Sequence, residues 1–549
     1  MVQEDSDADI SGEWRDHLPI ALLAIAMVVS AWLGLSLNSG LTFYADEWDP
    51  LLNRPGWGLD QIFAPFNGHP TMIPMVIYKA VQEIFGMDST RPVQIVHATL
   101  LLAMNGVLFV YLRRRVGDWT ALIATVMILF LGAAFEVLIY SFTINFTGAI
   151  TAGIGALLML ERDDRKGDLA AAALLVLGAC ISMVILPFIA AAAVEWILNP
   201  RDRRNRIFVP GASVLFLLLW WVVWGRQGES SFFSAADIPA IPGHLFASIG
   251  AGFTALFGLA NGANSGFEQP NLIWGKLMAV GAAILAAWRI RSLKGPPRDF
   301  LMILAGLAVL EISVVLGGRD PIVSRFLLPT AIFILMGAST LLRGVVFRTS
   351  WLVVAGIVAV LSVQGGVRLW ESKANGRWVV ASQLVRSYVT GLELAGQDTK
   401  PDAKSGFERW EYFELERFTE AFARYGSPSF ERGEWAGLKA KELTSLDQGL
   451  IAASGVGLDS RPPKTATRTC GQTIPGQVIK IKPGRYRVEN SSNSEVSINV
   501  ARLAPDPGTS IGAVLQGSAA GLNLPAGDLG ALWRITLEPS SGAVRICGR

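Results

Sequence analysis

The sequence predicts a polytopic α-helical membrane domain of about eleven spans, followed by an extracytoplasmic β-sandwich-like domain. Three observations carry that reading. Apolar residues gather in long blocks over roughly the first two thirds of the chain and then thin out. Basic residues recur in every second connection between those blocks. The last part of the chain changes to a period of two.

Half of the chain (51%) is apolar and only 17% is charged, and the mean hydropathy is +0.41. About 20 apolar residues at about 1.5 Å rise per residue cross a hydrocarbon core of about 30 Å. The blocks that meet this measure lie near 18–37, 93–112, 119–138, 146–160, 168–183, 185–198, 207–224, 272–290, 300–317, 327–343 and 350–367. The fifth and sixth can also be read as one helix broken at Pro187. A further apolar stretch, 244–262, holds Gly250, Gly252, Gly258 and Gly262 and reads as an interfacial or re-entrant segment.

Sidedness follows from charge. Arg113, Arg114 and Arg115; Arg162, Arg165 and Lys166; Arg201, Arg203, Arg204 and Arg206; Arg289, Arg291, Lys294 and Arg298; and Arg343 with Arg348 all fall on one side of the span count. The positive-inside rule makes that side cytoplasmic. It places the N-terminus in the cytoplasm and everything after Val367 outside, as an odd number of spans also requires. The expected location is the plasma (inner) membrane. The start, acidic at Glu4, Asp5, Asp7 and Asp9, is not a cleavable signal peptide. Residues 38–92 and 225–271 become large outer loops. The first holds a helical candidate from Met72 to Phe85. Trp220, Trp221 and Trp224 fall at the outer interface, where aromatic rings settle.

The expected domains are 1–367 in the membrane, a helical or irregular linker 368–465, and a small β-sandwich 466–549. In the linker Leu415, Phe418, Phe422 and Tyr425 share a helical face. In the tail Ile479 and Ile481, then Val496, Ile498 and Val500, then Trp533, Ile535 and Leu537 alternate with polar residues between turn-forming segments. A net charge of +2 supplies no basic field for nucleic acid. Of three cysteines, Cys180 lies in an apolar block, while Cys470 and Cys547 bracket the β-region and are expected to form a disulfide in an oxidising compartment.

Five features could carry chemistry. Asp46, Glu47 and Asp49 follow the first span beside Tyr44 and Trp48. Such carboxylates at a bilayer surface could take a proton from a sugar hydroxyl or hold a divalent ion, Mg or Mn. The alternative is a solvated acidic loop. His69, in Asn67-Gly68-His69-Pro70, would sit at the start of the loop helix, or serve only structurally. Lys79, further along, could reach a phosphate or snorkel to the interface. Arg319 and Arg325 lie at an outer helix mouth, on the side where the bias removes basic residues. Guanidinium clamps phosphate well, and interfacial anchoring is the alternative. Glu311, inside the ninth span, either faces a wet cavity or is protonated, since a charge there is costly.

One short N-terminal segment, one span and an outer loop opening on Asp46-Glu47 together resemble the GT-C superfamily of membrane glycosyltransferases. Gly68-His69-Pro70 is similar to that family's histidine- or lysine-proline element, although Thr71 stands where many members have a second proline. Ser324-Arg325-Phe326-Leu327-Leu328-Pro329 resembles its late arginine element. The resemblance implies sugar transfer from a polyprenyl-phosphate donor to an outer glycan, lipid or protein acceptor, among membrane lipids and without nucleic acid. It implies Asp46 as general base or metal carboxylate with Glu47 as partner, and His69 and Arg325 on the donor phosphate. It covers residues 1–367; a β-rich tail is not general to the superfamily. Two rival readings stay open: a transporter or flippase for lipid-linked glycans, and a non-enzymatic envelope protein with a glycan-binding tail.

Overall fold

The computed structural model describes residues 6–199, 206–227, 235–260, 272–320, 322–395, 415–460, 469–473, 477–526, 532–538 and 544–548. Glu4, Asp5, Arg201, Arg203, Arg204, Gly262 and parts of the second outer loop (228–234 and 261–271) lie outside the described residues. The chain divides into two compact units. One comprises Met1–Ser39, Gly56–Tyr78 and Arg91–Trp378; the other comprises Gly40–Pro55, Lys79–Thr90 and Val379–Arg549.

The first unit is a multi-pass helical membrane domain. Its helices are α1 (Ser6–Leu37), the short α2 (Leu59–Phe63), the first part of α3 (Met72–Phe85), α4 (Arg91–Val116), α5 (Asp118–Leu129), α6 (Phe135–Ile139), α7 (Ile144–Leu160), α8 (Arg165–Ile181) and α9 (Leu186–Leu198). Then come α10 (Phe208–Val223), α11 (Ile241–Leu256), α12 (Leu272–Ser292), α13 (Arg298–Leu316), α14 (Ser324–Leu341) and α15 (Thr349–Lys373). Among the described residues eight segments are long and apolar enough to cross a membrane, against the eleven expected. The difference lies in α8, α9 and α10, which have 17, 13 and 16 residues. At about 1.5 Å per residue none of them reaches about 30 Å. The break between α8 and α9 falls at Ser182, whose extended backbone caps the next turn, with its side chain accepting the Val184 N–H. Pro187 sits instead in the first turn of α9, where its missing N–H costs nothing.

Gly250, Gly252 and Gly258 mark close helix packing. A Cβ on Gly275 of α12 would lie 1.9 Å from the Gly250 carbonyl of α11. Small residues let membrane helices approach this closely.

In the second unit, α16 (Val379–Leu394) packs on α18 (Ala440–Ser454), with Ser445 Oγ donating to the Leu384 carbonyl at 2.7 Å. Between them, α17 (Leu415–Tyr425) buries Leu415, Phe418 and Ala421, on the face its periodicity marks. The β-domain is a pair of antiparallel sheets, ordered β1-β7-β4-β9-β2 and β3-β8-β5-β6, with β4 at Gly484–Asn490 and β6 at Thr509–Val514. The alternating runs become β3 (Ile479–Ile481), β5 (Val496–Ala501) and β8 (Trp533–Glu538). An additional strand, β1 (Gly457–Asp459), starts before the alternating region and pairs with β7 (Ala519–Leu524). Cys470 of β2 (Thr469–Thr473) and Cys547 of β9 (Val544–Gly548) stand opposite each other in register and form the expected disulfide, with Cα atoms 4.1 Å apart. Asp447 ties α18 to this domain by accepting the backbone N–H groups of Arg502 at 2.7 Å, Leu503 at 3.0 Å and Ala504 at 2.8 Å.

Candidate functional site

The carboxylate loop belongs to the second unit. Tyr44 is extended, and Ala45 at φ 45° opens a 3₁₀ turn, Ala45–Glu47. Positive φ is uncommon for a residue with a Cβ and persists where the surroundings over-determine it. Glu47 is buried, and its Oε2 accepts the Tyr44 N–H at 2.9 Å, closing the turn on itself. Trp48 has no exposed surface; its Nε1 donates to the Phe43 carbonyl at 3.1 Å. Asp49 forms an ion pair with Arg54, Oδ2 to Nε at 2.8 Å, and its Oδ1 accepts from Asn53 Nδ2 at 3.0 Å. Thus Glu47 and Asp49 bond within the loop, while Asp46 is half-buried between them.

Lys79, in the same unit, is buried, and its ammonium donates to the Arg54 carbonyl. Burial first, and then the Arg54 charge, hold its pKa below the usual lysine range. Asp46 and Glu47 are the residues that could hold a divalent ion. Glu47 Oε2 already accepts a backbone N–H, and among the described residues no three His, Cys, Asp or Glu side chains gather as a metal-binding group.

The second cluster belongs to the helical unit. Phe66 and His69 exchange both backbone hydrogen bonds, at 3.0 and 2.8 Å, around Asn67 at φ 48° and Gly68 at φ 74°. Positive φ at both central residues is the tight hairpin turn that Asn-Gly favours. The turn delivers His69 just before Pro70 and α3. His69 keeps accessible surface, with protein atoms crowded around its ring. Burial, then the charges of Arg319 and Arg325, lower its pKa to about 4.

Arg319 follows the end of α13, where Gly318 at φ 64° turns the chain and the Arg319 N–H bonds back to Val314. Arg325 lies in the first turn of α14. Its Nε faces Glu136 Oε2 of α6 at 3.3 Å. That contact uses Nε rather than the paired Nη edge, through which arginine grips phosphate bidentately. Ser324 Oγ accepts the Glu136 N–H at 3.1 Å, fixing α6 to α14. Glu136 was absent from the sequence-derived candidates. Its signal was available, because it is the only charged residue between Trp119 and Leu160, and a carboxylate within an apolar block marks function.

The structure therefore brings His69, Arg319 and Arg325 into one electrostatic group, with Glu136 on Arg325. It brings Lys79 to the loop that carries Asp46 and Glu47. Glu311 is 1% exposed and accepts the Thr330 hydroxyl at 2.7 Å, with Ser248 Oγ 3.5 Å from that hydroxyl. Trp220 Nε1 donates to the Phe63 carbonyl at 2.8 Å and Trp224 Nε1 to Asp60 at 3.2 Å, fastening α2 to the end of α10.

No protein-family model matches the chain, and no curated protein matches it. Among solved structures the chain is similar to the crystal structure of ArnT from Cupriavidus metallidurans bound to undecaprenyl phosphate. The identity is 12%, the match covers 74% of this chain and 87% of that chain, and the TM-score is 0.42.

Proposed function

We propose that this protein transfers a sugar from a polyprenyl-phosphate donor to an acceptor glycan, lipid or protein on the outer face of the membrane. The observation that carries the reading is the grouping of His69 with Arg319 and Arg325 in the loops of a helical membrane domain. Two guanidinium groups beside an imidazole held neutral make an environment that rejects a further positive charge and favours an anion. A polyprenyl-linked sugar offers that anion at the membrane surface, because its tail stays in the bilayer while its phosphate and reactive carbon lie at the interface. A soluble nucleotide sugar would need a phosphate cradle of another kind, and no glycine-rich strand–helix motif occurs in the chain.

In this reading Arg325 and Arg319 neutralise the phosphate as the glycosidic bond breaks, and His69 supplies a hydrogen bond to it. Asp46 takes the proton from the acceptor hydroxyl as that oxygen attacks the sugar's anomeric carbon. Glu47 is its structural partner through the Tyr44 N–H. Lys79, engaged by the Arg54 carbonyl, supports the loop. The cytoplasmic N-terminus and extracytoplasmic C-terminal unit belong to the same proposal. The distribution of basic loops supports them, as does the Cys470–Cys547 disulfide, a bond at home in an oxidising compartment.

The test is incubation of the purified full-length protein in lipid nanodiscs with a panel of radiolabelled polyprenyl-phosphate pentoses and hexoses, with envelope lipids and glycans as acceptors. Consumption of one donor, with label moving to an acceptor, is the expected result. Consumption of none across the panel, while the protein is folded, would contradict the proposal.

A further inference from the structure

The loop that carries Asp46 is fastened on both sides by helices that follow it in the chain by more than three hundred residues. Upstream, Ser382 Oγ of α16 accepts the Thr42 N–H at 2.5 Å and donates back to the Thr42 carbonyl at 3.3 Å. Gln383 Nε2 donates to the Gly40 carbonyl at 2.6 Å. Downstream, the Trp48 ring lies between Phe43, at 5.8 Å, and Phe418 of α17, at 5.5 Å. A third tie runs from α17 through the side chains. Arg417 Nη1 donates to Asn53 Oδ1 at 3.0 Å, and Asn53 Nδ2 donates to Asp49 Oδ1 at 3.0 Å. Asp49 then holds Arg54, whose carbonyl accepts from Lys79. The Asn53 amide has one orientation that serves a cation on one side and a carboxylate on the other, and that is the one present.

Between these ties sits Ala45, at φ 45°, immediately before Asp46. A left-handed alanine is strained and relaxes once nothing holds it. Relaxation to negative φ would swing the next residue away. The ties at Thr42 and Trp48 bracket the strained residue on both sides and define where Asp46 lies.

We propose that Ser382, Arg417 and Phe418 are positioning residues for Asp46, so that α16 and α17 form part of the catalytic apparatus and hold a strained backbone in its working conformation. This inference rests on the reading of Asp46 as the general base. It separates these helices from a role as a mere tether for the β-domain.

The test uses full-length Ser382→Ala, Arg417→Gln and Phe418→Leu, each with and without Ala45→Gly, assayed on the radiolabelled donor panel. The single variants are expected to lower kcat about 5- to 20-fold with donor KM within about twofold. Glycine accepts positive φ without strain, so Ala45→Gly in the same chain is expected to recover at least half of the lost rate. A residue that merely stabilises the fold would show no such recovery. Wild-type kcat in all three variants overturns the proposal, as does a kcat loss that tracks melting temperature and ignores Ala45→Gly. Where Phe418→Leu fails to fold, Ser382→Ala decides, since it removes one oxygen atom. Asp46→Asn, run alongside, separates the two claims. Wild-type turnover in Asp46→Asn removes the reading beneath the inference. A dead Asp46→Asn beside fully active Ser382→Ala and Phe418→Leu refutes the positioning role alone.

Discussion

Donor binding to the His69 group should take up a proton. In the ligand-free protein the His69 pKa lies near 4, against an ordinary value of 6.5, and after burial the causes are the charges of Arg319 and Arg325. A phosphodiester bound to those guanidinium groups brings one negative charge beside the imidazole and raises its pKa from the lowered value. Linkage fixes the sign: a group whose pKa rises on binding makes the ligand bind more tightly as pH falls. Nothing changes at pH 8, where His69 is neutral in both states. As pH falls toward the raised pKa, the complex takes up a proton that the free protein does not hold. Affinity should therefore rise as pH falls from 8 to 5.

The sugar-linked donor is a phosphodiester that stays ionised throughout this range, so the change reports the protein. Calorimetric titration in two buffers of different ionisation enthalpy would count the proton, and His69→Gln should abolish both the uptake and the slope. A flat affinity from pH 8 to pH 5, or an equal slope in His69→Gln, would refute the reasoning.

Other expectations follow from individual contacts. Arg325→Ala should weaken donor binding by tenfold or more, and Arg325→Lys should restore only part of it because the bidentate fork is lost; donor titration checks both, and full recovery by lysine would reduce Arg325 to a generic charge. Removing the disulfide by Cys470→Ser with Cys547→Ser should cost the β-domain about 4 kcal/mol. The bond closes a loop of 77 residues and pins β2, which among the described residues pairs only with β9. Proteolysis of β2 at low denaturant should accelerate accordingly, and an unchanged cleavage rate would count against it. Asp447→Ala strips the acceptor from three consecutive N–H groups, and at about 1–3 kcal/mol for each buried group left unpaired should destabilise α18 and the β-domain together in a denaturant melt.

Local patterns in the sequence were the legible ones. Helix α3 was delimited to the residue, since its apolar period and flanking Gly68-His69-Pro70 are continuous in the chain. Alternation placed β3, β5 and β8, and elimination paired Cys470 with Cys547. Helix breaks were harder: Pro187 drew attention, but the break lies at Ser182, whose side chain competes with the helix for backbone N–H groups. Gly250 suggested irregular backbone, whereas its lack of a side chain serves contact with Gly275, a partner that periodicity cannot reveal.

In the candidate site, Asp46, Glu47 and Asp49 looked alike as three adjacent carboxylates. Their partners distinguish them, and for Glu47 that partner is a backbone N–H and for Asp49 an arginine five residues on. The ties from Ser382 and Phe418 to residues 42 and 48 span most of the chain, and nothing local in the sequence announces them.

The account stands or falls on Asp46 as the group that accepts the acceptor's proton, and the direct measurement is the transfer rate of Asp46→Asn. The substitution keeps the shape of the side chain and removes its charge. Donor affinity should stay within about twofold of wild type while transfer falls by about two orders of magnitude, the scale of lost acid–base assistance. Asp49→Asn, whose carboxylate pairs with Arg54, should lose less. Transfer by Asp46→Asn at the wild-type rate would contradict the account.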